Sequence, residues 1–512
     1  MKALLSTYDK TGLADLGRHL SDAGYDLVST GGTARDLRDV GLQVQEVSEM
    51  TGSPEILGGR VKTLHPVVHG GILALRDEPG HEAELAQHEI DTIDVVVGNL
   101  YPFVETVSRP GVTLADALEN IDIGGPTMIR AAAKNHPHVL VVVDPGDYDW
   151  IGERVAAKGA VPDAFTPSER KELARKAFQH VALYDTAISR YLDEGESGAS
   201  WAEFTIGLNR VADLRYGENP HQAATLYSSE LSSGGIVDAE RLHGLGMSFT
   251  NVLDADAAWR VVSDFDEDAV AVVKHTNPCG LAMHPDQPTA YRRAFEGDSV
   301  SAYGGIVGFN RPVTAATAEA MRGVLYDIIV APGYDSDALA VLKKRRRTRI
   351  LRIGQASGPM EGLDVRTVSG GMLVQTGDVL EEEPSGWTVA TQRSPTDNEL
   401  RDLAFAWKVC KHIKSNTIAL ASDRALVGMG AGQPNRVTSV HLALRIGGDR
   451  AIGSVMASDA YFPFADSVEM AAEGGVTAIV QPGGSIRDEE SIEAANRLGL
   501  AMVLTGVRHF RH

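Results

Sequence analysis

The sequence predicts an α/β protein of two domains, the first built on a doubly wound parallel sheet. Short runs of nearly continuous Val, Ile and Leu alternate with helix-like segments from the first residues onward, as strands covered by helices on both faces do. A polar stretch, Asp193-Glu194-Gly195-Glu196-Ser197-Gly198-Ala199-Ser200, interrupts that alternation and divides residues 1–197 from 198–512. A chain of 512 residues is also too long for one ordinary core.

Taken in order, Ala3–Thr7 reads as a strand, Lys10–Ala23 as a helix and Tyr25–Ser29 as a second strand, and Gly31-Gly32-Thr33 opens the next helix. Asp94–Leu100 reads as a buried strand, Leu114–Asn120 and Thr127–Lys134 as helices, and His138–Asp144 as a further strand. A long helical stretch, Ser168–Leu192, closes the first domain. Beyond the polar break, helix-like Ala255–Val262 precedes the apolar strand Val270–Val273, and helix-like Asn398–Val409 precedes Ile418–Ala421. This echo suggests a duplicated α/β unit with a seam near residues 370–395.

Composition narrows the function. Hydrophobic residues at 43% and charged residues at 23% describe a globular chain. The formal net charge of −21 repels a phosphate polyanion, which argues against nucleic acid as a partner. The basic run Lys343–Arg349 follows a helix-like segment and reads as a solvated helix end. No apolar run is long enough to span a membrane, the first residues lack a signal-peptide core, and two cysteines, Cys279 and Cys410, cannot build a disulfide framework or a multi-cysteine zinc site. A cytoplasmic location is expected.

Several segments carry groups suited to binding and proton transfer. Ser6, Lys10, Ser29, Gly31, Gly32 and Thr33 follow the first two strands, where helix N-termini and free N–H groups receive a phosphate; ordinary helix capping explains the same residue types. Arg60, Lys62 and Thr63 lie in the loop Gly59-Arg60-Val61-Lys62-Thr63-Leu64-His65-Pro66. His65 and His69 have metal-ligand spacing, but Pro66 and Gly70-Gly71 argue against a regular helix there, and no metal is expected. Asn99 and Tyr101 end a strand, Asp122 precedes a helix and Lys134 ends it; phenol, carboxylate and amine suit proton transfer, the lysine depressing its neighbours' acidity constants, although each is more often structural. Lys274-His275 ends an apolar strand, where open α/β sheets hold ligands, and a core rarely keeps such a pair. Arg215-Tyr216-Gly217-Glu218-Asn219-Pro220-His221-Gln222 reads as a binding loop. Gly428-Met429-Gly430-Ala431-Gly432-Gln433 matches no dinucleotide or Walker pattern, though it suits close backbone approach.

Together these segments resemble the bifunctional purine biosynthesis protein family over essentially the whole chain. The likeness runs from Ser6-Thr7-Tyr8-Asp9-Lys10-Thr11-Gly12 through the segments above to Phe405-Ala406-Trp407-Lys408, Lys414-Ser415-Asn416, Phe462-Pro463-Phe464-Ala465-Asp466 and Arg508-His509-Phe510-Arg511-His512. Tyr303 and Tyr461 stand where the family is expected to have phenylalanine. The resemblance implies a methylglyoxal-synthase-like N-terminal domain and a C-terminal domain with a duplicated cytidine-deaminase-like fold. It further implies transfer of a formyl group from 10-formyltetrahydrofolate to 5-aminoimidazole-4-carboxamide ribonucleotide (AICAR), then closure of formyl-AICAR to IMP with loss of water. For formyl transfer it implies Lys274, His275 and Asn416 as catalytic, with Arg215, Tyr216, His221 and Arg508 at nucleotide-binding positions. Phe462, Phe464 and Asp466 would help form the substrate sites. For ring closure it implies Lys62, Tyr101, Asp122 and Lys134 as catalytic, with Asn99 and the Ser6-to-Thr63 groups above binding substrate. It implies a homodimer, small-molecule substrates including a reduced folate, and no transition metal; the missing Cys-x-x-Cys pattern points the same way. Two rivals stand beside it. A regulatory nucleotide-binding module would resemble the effector domain of carbamoyl phosphate synthetase, and a zinc nucleoside deaminase would need bound zinc.

Overall fold

A computed structural model describes residues 1–159, 161–193, 201–229, 234–354, 362–380 and 382–512. The chain divides into two compact units, Met1–Asn209 with Ser229–Leu231, and Arg210–Ser228 with Ser232–His512. The polar break expected from Asp193 to Ser200 lies, from 194 onward, outside the described residues.

The first unit is the expected parallel sheet. Strands β1 (Lys2–Ser6), β2 (Asp26–Ser29), β3 (Val44–Glu46), β4 (Val95–Gly98) and β5 (Leu140–Val142) run in the order β3-β2-β1-β4-β5, every pair parallel. Their side chains feed two buried clusters, one per face, around Leu4 and Val96 and around Leu5 and Val97. The strand order reverses between β1 and β4, so the carboxyl ends of these strands form the crevice where such sheets hold ligands. The helix after β1 begins at Leu13, later than expected, because Gly12 takes a left-handed conformation as its N-cap. The long helix spans Pro167–Tyr191 and starts at a reciprocal capping box of Thr166 and Glu169. One expectation fails here. Pro66–Leu73 is a helix, with Pro66 in its first turn, where no N–H is needed, and His65 accepting the Val67 N–H as N-cap.

In the second unit β6 (Asn209–Asp213) and β7 (Thr225–Ser228) form a small pair, and a mixed sheet of twelve strands makes the core. Its first array comprises β8 (Glu240–His243), β9 (Ala269–Lys274), β10 (Asn277–Met283), β11 (Gly305–Phe309), β12 (Tyr326–Ala331) and β13 (Arg349–Arg352). After the hairpin β14 (Leu363–Val368) and β15 (Gly371–Thr376), a second array follows: β16 (Thr388–Val389), β17 (Ile418–Ser422), β18 (Ala425–Gly430), β19 (Val455–Ser458), β20 (Ala478–Gln481) and β21 (Ala501–Leu504). The spatial order is β16-β21-β20-β19-β17-β18-β10-β9-β11-β12-β13-β8, a palindrome in which each array repeats the other about the antiparallel pair β10 and β18.

The echo in the sequence is therefore a full duplication, with each helix and each parallel or antiparallel pairing repeated. Gly280 of β10 lies so close to its following helix that a Cβ would stand 1.7 Å from the Ala294 carbonyl oxygen; Gly428 of β18 repeats this at 2.2 Å from Ala443. The backbone approach expected around Gly428–Gly432 is, at Gly428 and Gly430, an approach of β18 to its own helix, while Gly432 has open space beside it. The basic run also departs from expectation. Lys343, Lys344, Arg346 and Arg347 are exposed, but Arg345 donates to the Met321 and Val324 carbonyls, and buried Arg349 to that of Gly246 at 2.9 Å.

Candidate active sites

In the first unit, the helix Gly31–Asp39 begins at the carboxyl end of β2 with both glycines exposed. The Lys10 ammonium hangs 3.6 Å from where a Gly32 Cβ would be and pairs with Asp36. Ser6 Oγ lies 3.3 Å from Thr30 Oγ1 at the same edge. Free helix N–H groups, an ammonium and a hydroxyl therefore converge, the chemistry of a phosphate cradle. Two expected members serve the backbone instead. The Ser29 hydroxyl donates to the Leu5 carbonyl at 2.6 Å, and the Thr33 hydroxyl exchanges bonds with the Thr7 N–H and carbonyl. Asn99 likewise has its carboxamide spent within the protein, its oxygen accepting the Tyr8 and Asp9 N–H groups at 2.7 and 2.9 Å. It shapes the loop after β1.

The loop carrying Lys62 and Thr63 packs on the segment before the helix Gly124–Lys134. A Cβ on Gly124 would lie 2.5 Å from Thr63 Oγ1 and one on Gly125 2.4 Å from an Asp122 oxygen, so this close packing depends on both glycines. Asp122 accepts the Gly125 N–H at 2.9 Å, and its own N–H donates to the Tyr184 hydroxyl at 2.7 Å. Burial pushes the Asp122 carboxyl above the ordinary range, against the pull of the Gly125 N–H and the Lys62 ammonium. The expected depression by a neighbouring lysine is outweighed. Lys134 is not that neighbour, because it ends a helix of eleven residues that begins beside Asp122, a rise of about 15 Å. Tyr101 is exposed and meets the Tyr8 ring at 5.5 Å, while Arg60, also exposed, pairs with Glu119. Tyr8 and Tyr184 had no distinguishing sequence signal.

In the second unit, β9 ends at Lys274, and His275 and Thr276 form the tight turn to β10, both with positive φ. Lys274 Nζ donates to the Tyr303 carbonyl at 2.8 Å, which depends on the backbone of Tyr303 and not its phenol. Antiparallel pairing of β10 with β18 brings this turn to the loop ahead of β17. Asn277 joins them, donating to the His275 carbonyl at 2.9 Å and accepting the Lys414 N–H at 3.1 Å. Asn416 is thereby at the same edge as Lys274 and His275. Its side chain is fixed, donating to the Gln433 carbonyl at 2.8 Å and accepting from Arg436 Nη2 at 2.7 Å. Arg436 in turn pairs with buried Asp459, which also accepts from Ser415. The C-terminal tail closes this cluster, the Arg511 carbonyl accepting the Ser415 N–H at 2.9 Å.

The remaining expected residues differ in availability. Arg215 is exposed with its guanidinium over the Tyr216 ring at 5.4 Å, and the Tyr216 carbonyl accepts the Phe249 N–H at the start of the helix Phe249–Ser263. His221 is exposed. Arg508 is exposed and covers Phe510 at 4.3 Å; Phe464 is exposed beneath Arg487. Asp466 opens the helix Asp466–Glu473 and accepts the Ser467 N–H at 2.7 Å. Phe462 is wholly buried in the core behind β17 and β19, so its ring is packing and not a ligand surface. Among the described residues, no group of three or more His, Cys, Asp or Glu is placed to hold a metal, and no helix is long and apolar enough to cross a membrane.

An anion cradle on a parallel sheet, followed by a duplicated mixed sheet with a lysine–histidine edge, defines a two-unit α/β enzyme acting on phosphorylated small molecules. Residues 12–127 match the MGS-like domain family, and residues 132–446 match the AICARFT/IMPCHase bienzyme family. The bifunctional purine biosynthesis protein of Dictyostelium discoideum is 49% identical over 544 aligned residues, covering 100% of both chains. Those of Nostoc punctiforme and Bacillus cereus are 49% and 48% identical, each covering 100% of this chain and 99% of its own. The chain belongs to the AICARFT/IMPCHase bienzyme family. It is a bifunctional purine biosynthesis enzyme, an AICAR formyltransferase and IMP cyclohydrolase, with 10-formyltetrahydrofolate as formyl donor.

Proposed function

We propose that the two reactions are divided between the two units, ring closure in residues 1–197 and formyl transfer in residues 198–512. The observation that supports this most directly is the Asn277 bridge, which ties the His275 turn to the Asn416 loop within the second unit. In formyl transfer the AICAR amine attacks the formyl carbon. His275 takes the amine proton as the new N–C bond forms; Lys274 supplies a proton to the departing folate nitrogen and Asn416 orients the formyl oxygen. Arg215, Tyr216, His221 and Arg508 bind the nucleotide, and Phe464 and Asp466 border the site.

In ring closure the carboxamide nitrogen attacks the new formyl carbon, and the oxygen leaves as water. Ser6, Lys10, Gly31 and Gly32 hold the phosphate, Arg60 and Thr63 flank the base, and Lys62, Tyr101 and Asp122 handle the protons. A carboxyl raised by burial suits the proton donor to the departing oxygen. Lys134 enters this set from the family resemblance and not from its position. The enzyme works as a cytoplasmic homodimer. Purified protein supplied with AICAR and 10-formyltetrahydrofolate should release tetrahydrofolate and IMP in equal amounts. Tetrahydrofolate without IMP, from protein whose first unit is folded, refutes the assignment of ring closure.

A further inference from the structure

His275 and Thr276 both sit in the left-handed region, at φ of 52° and 63°, which a histidine and a β-branched residue adopt only when their surroundings hold them there. The holding group comes from below the turn. Asp254, half-buried in the helix Phe249–Ser263, accepts the Thr276 N–H at 2.7 Å. The second array repeats the device on different chemistry. Asp423 and Arg424 turn β17 into β18 with φ of 50° and 54°, and their N–H groups donate to Asp402 at 2.9 and 2.7 Å. Asp254 and Asp402 stand at equivalent places, each five residues beyond the first residue of its helix.

We propose that Asp254 is a positioning residue for formyl transfer: its carboxylate fixes the left-handed turn that aims the His275 imidazole, and Asn277 locks that turn to the loop carrying Asn416. Asp402 performs the same capping where no catalytic group is carried, so the chain contains its own control. Burial raises the Asp254 carboxyl, and the Thr276 N–H and the nearby His275 oppose that rise. The inference rests on the assignment of His275 as base and adds to it the residues that orient that base.

The test uses full-length protein and four variants, Asp254→Ala, Asp254→Asn, Asn277→Ala and Asp402→Ala, with His275→Ala measured beside them. Formyl transfer is followed at varied AICAR, with thermal midpoints recorded for each. Loss of one orienting hydrogen bond near a reacting group should lower formyl-transfer kcat by about tenfold or more in Asp254→Ala, while the KM for AICAR stays within about twofold. Asp254→Asn keeps an oxygen that accepts the Thr276 N–H, so it should recover most of that loss. Asp402→Ala should lower the thermal midpoint as Asp254→Ala does, yet leave kcat within about twofold. Asn277→Ala removes the bridge without touching the Asp254 cap, so it should show the same kcat loss and carries the test if Asp254→Ala proves insoluble. Unchanged kcat in Asp254→Ala or Asn277→Ala overturns the proposal, as does an equal kcat loss in Asp402→Ala or no recovery in Asp254→Asn. If His275→Ala itself retains formyl transfer, the base assignment falls. If His275→Ala is inactive and the others are not, only the positioning role falls.

Discussion

Replacing Arg436 by methionine should cost the second unit stability and formyl transfer for separable reasons. The Arg436 side chain is 6% exposed and that of its partner Asp459 is wholly buried. Besides Asp459, Arg436 donates to Ser458 Oγ at 2.9 Å, to the Thr417 carbonyl at 3.3 Å and to Asn416 Oδ1 at 2.7 Å. Methionine leaves Asp459 charged in the core with the Ser415 hydroxyl as its remaining side-chain donor. Breaking one side of such a pair costs about 3–5 kcal/mol, a large part of the roughly 5–15 kcal/mol that holds a domain together. At about 2–4 °C per kcal/mol, the unfolding transition of this unit should fall on the order of 10 °C. A second substitution, Asp459→Leu added to Arg436→Met, removes the stranded charge and should recover most of that stability. It should not restore formyl transfer, because Asn416 has still lost the donor that fixes its amide. Calorimetry and separate assays of the two reactions provide the measurement. A single variant within about 1 kcal/mol of the parent refutes the stability argument, and a double variant with full formyl transfer refutes the tether.

Three other perturbations have defined outcomes. Lys62→Ala should abolish closure of supplied formyl-AICAR, by about a hundredfold or more, while formyl transfer is retained; parallel loss of both in folded protein would show that the reactions are not divided as proposed. Gly280→Ala and Gly428→Ala each force a methyl group into a helix carbonyl, so each should destabilise the second unit by more than about 4 kcal/mol in urea unfolding. His509 is buried, which disfavours its charge, but Asp378 and Glu382 hydrogen-bond it and raise its affinity for a proton overall. A raised folded value means stability fully present below the unfolded value of about 6.5 and lost as pH rises through the folded value. The slope cannot exceed about 1.4 kcal/mol per pH unit for one proton, and it should vanish from the pH dependence of unfolding in His509→Gln.

The parallel sheet was legible because buried strands there are continuous apolar runs with helices between them. The Lys274-His275 edge was legible because a charged pair at the end of such a run has no place in a core. What was not legible depends on contacts distant in the chain. Asn99 looks like a binding residue at a strand end, yet its amide is consumed by Tyr8 and Asp9, some ninety positions earlier. Lys134 follows Asp122 closely in sequence, but a helix runs between them. Pro66 and Gly70-Gly71 looked like helix breakers, yet Pro66 sits in the first turn and both glycines lie inside the helix. Asp254, Asn277, Arg436 and Asp459 carry no local signal: Asp254 meets Thr276 and Arg436 meets Asp459 within one array, 22 and 23 positions apart, and Asn277 takes its meaning from the pairing of two arrays far apart in the chain.

That pairing also explains why a duplicated unit shows this chemistry at one edge. Because β10 and β18 run antiparallel, each edge of the sheet joins the turn of one array to the loop ahead of the other array's strand. At one edge the turn carries His275 and the loop carries Asn416, with the Lys274 ammonium donating to a neutral carbonyl. At the other edge the turn carries Asp423 and Arg424, and the facing loop carries Glu267 and Asp268. There the charges cancel in pairs: Arg424 with Glu267 at 2.7 Å, Asp423 with Arg293 at 2.8 Å, and Asp268 with Arg311 at 3.4 Å. An open cavity of about 470 Å³, bordered by Asp268, Asp286, Gln287 and Arg311, lies at this second edge. Concavity alone therefore does not mark the proposed site. A proton-transfer site needs a group that changes charge near neutrality, and an aspartate–arginine turn tied up in ion pairs supplies none. Both edges keep the carboxylate that caps the turn, as the backbone geometry demands in either case; only one edge offers that geometry a histidine to aim.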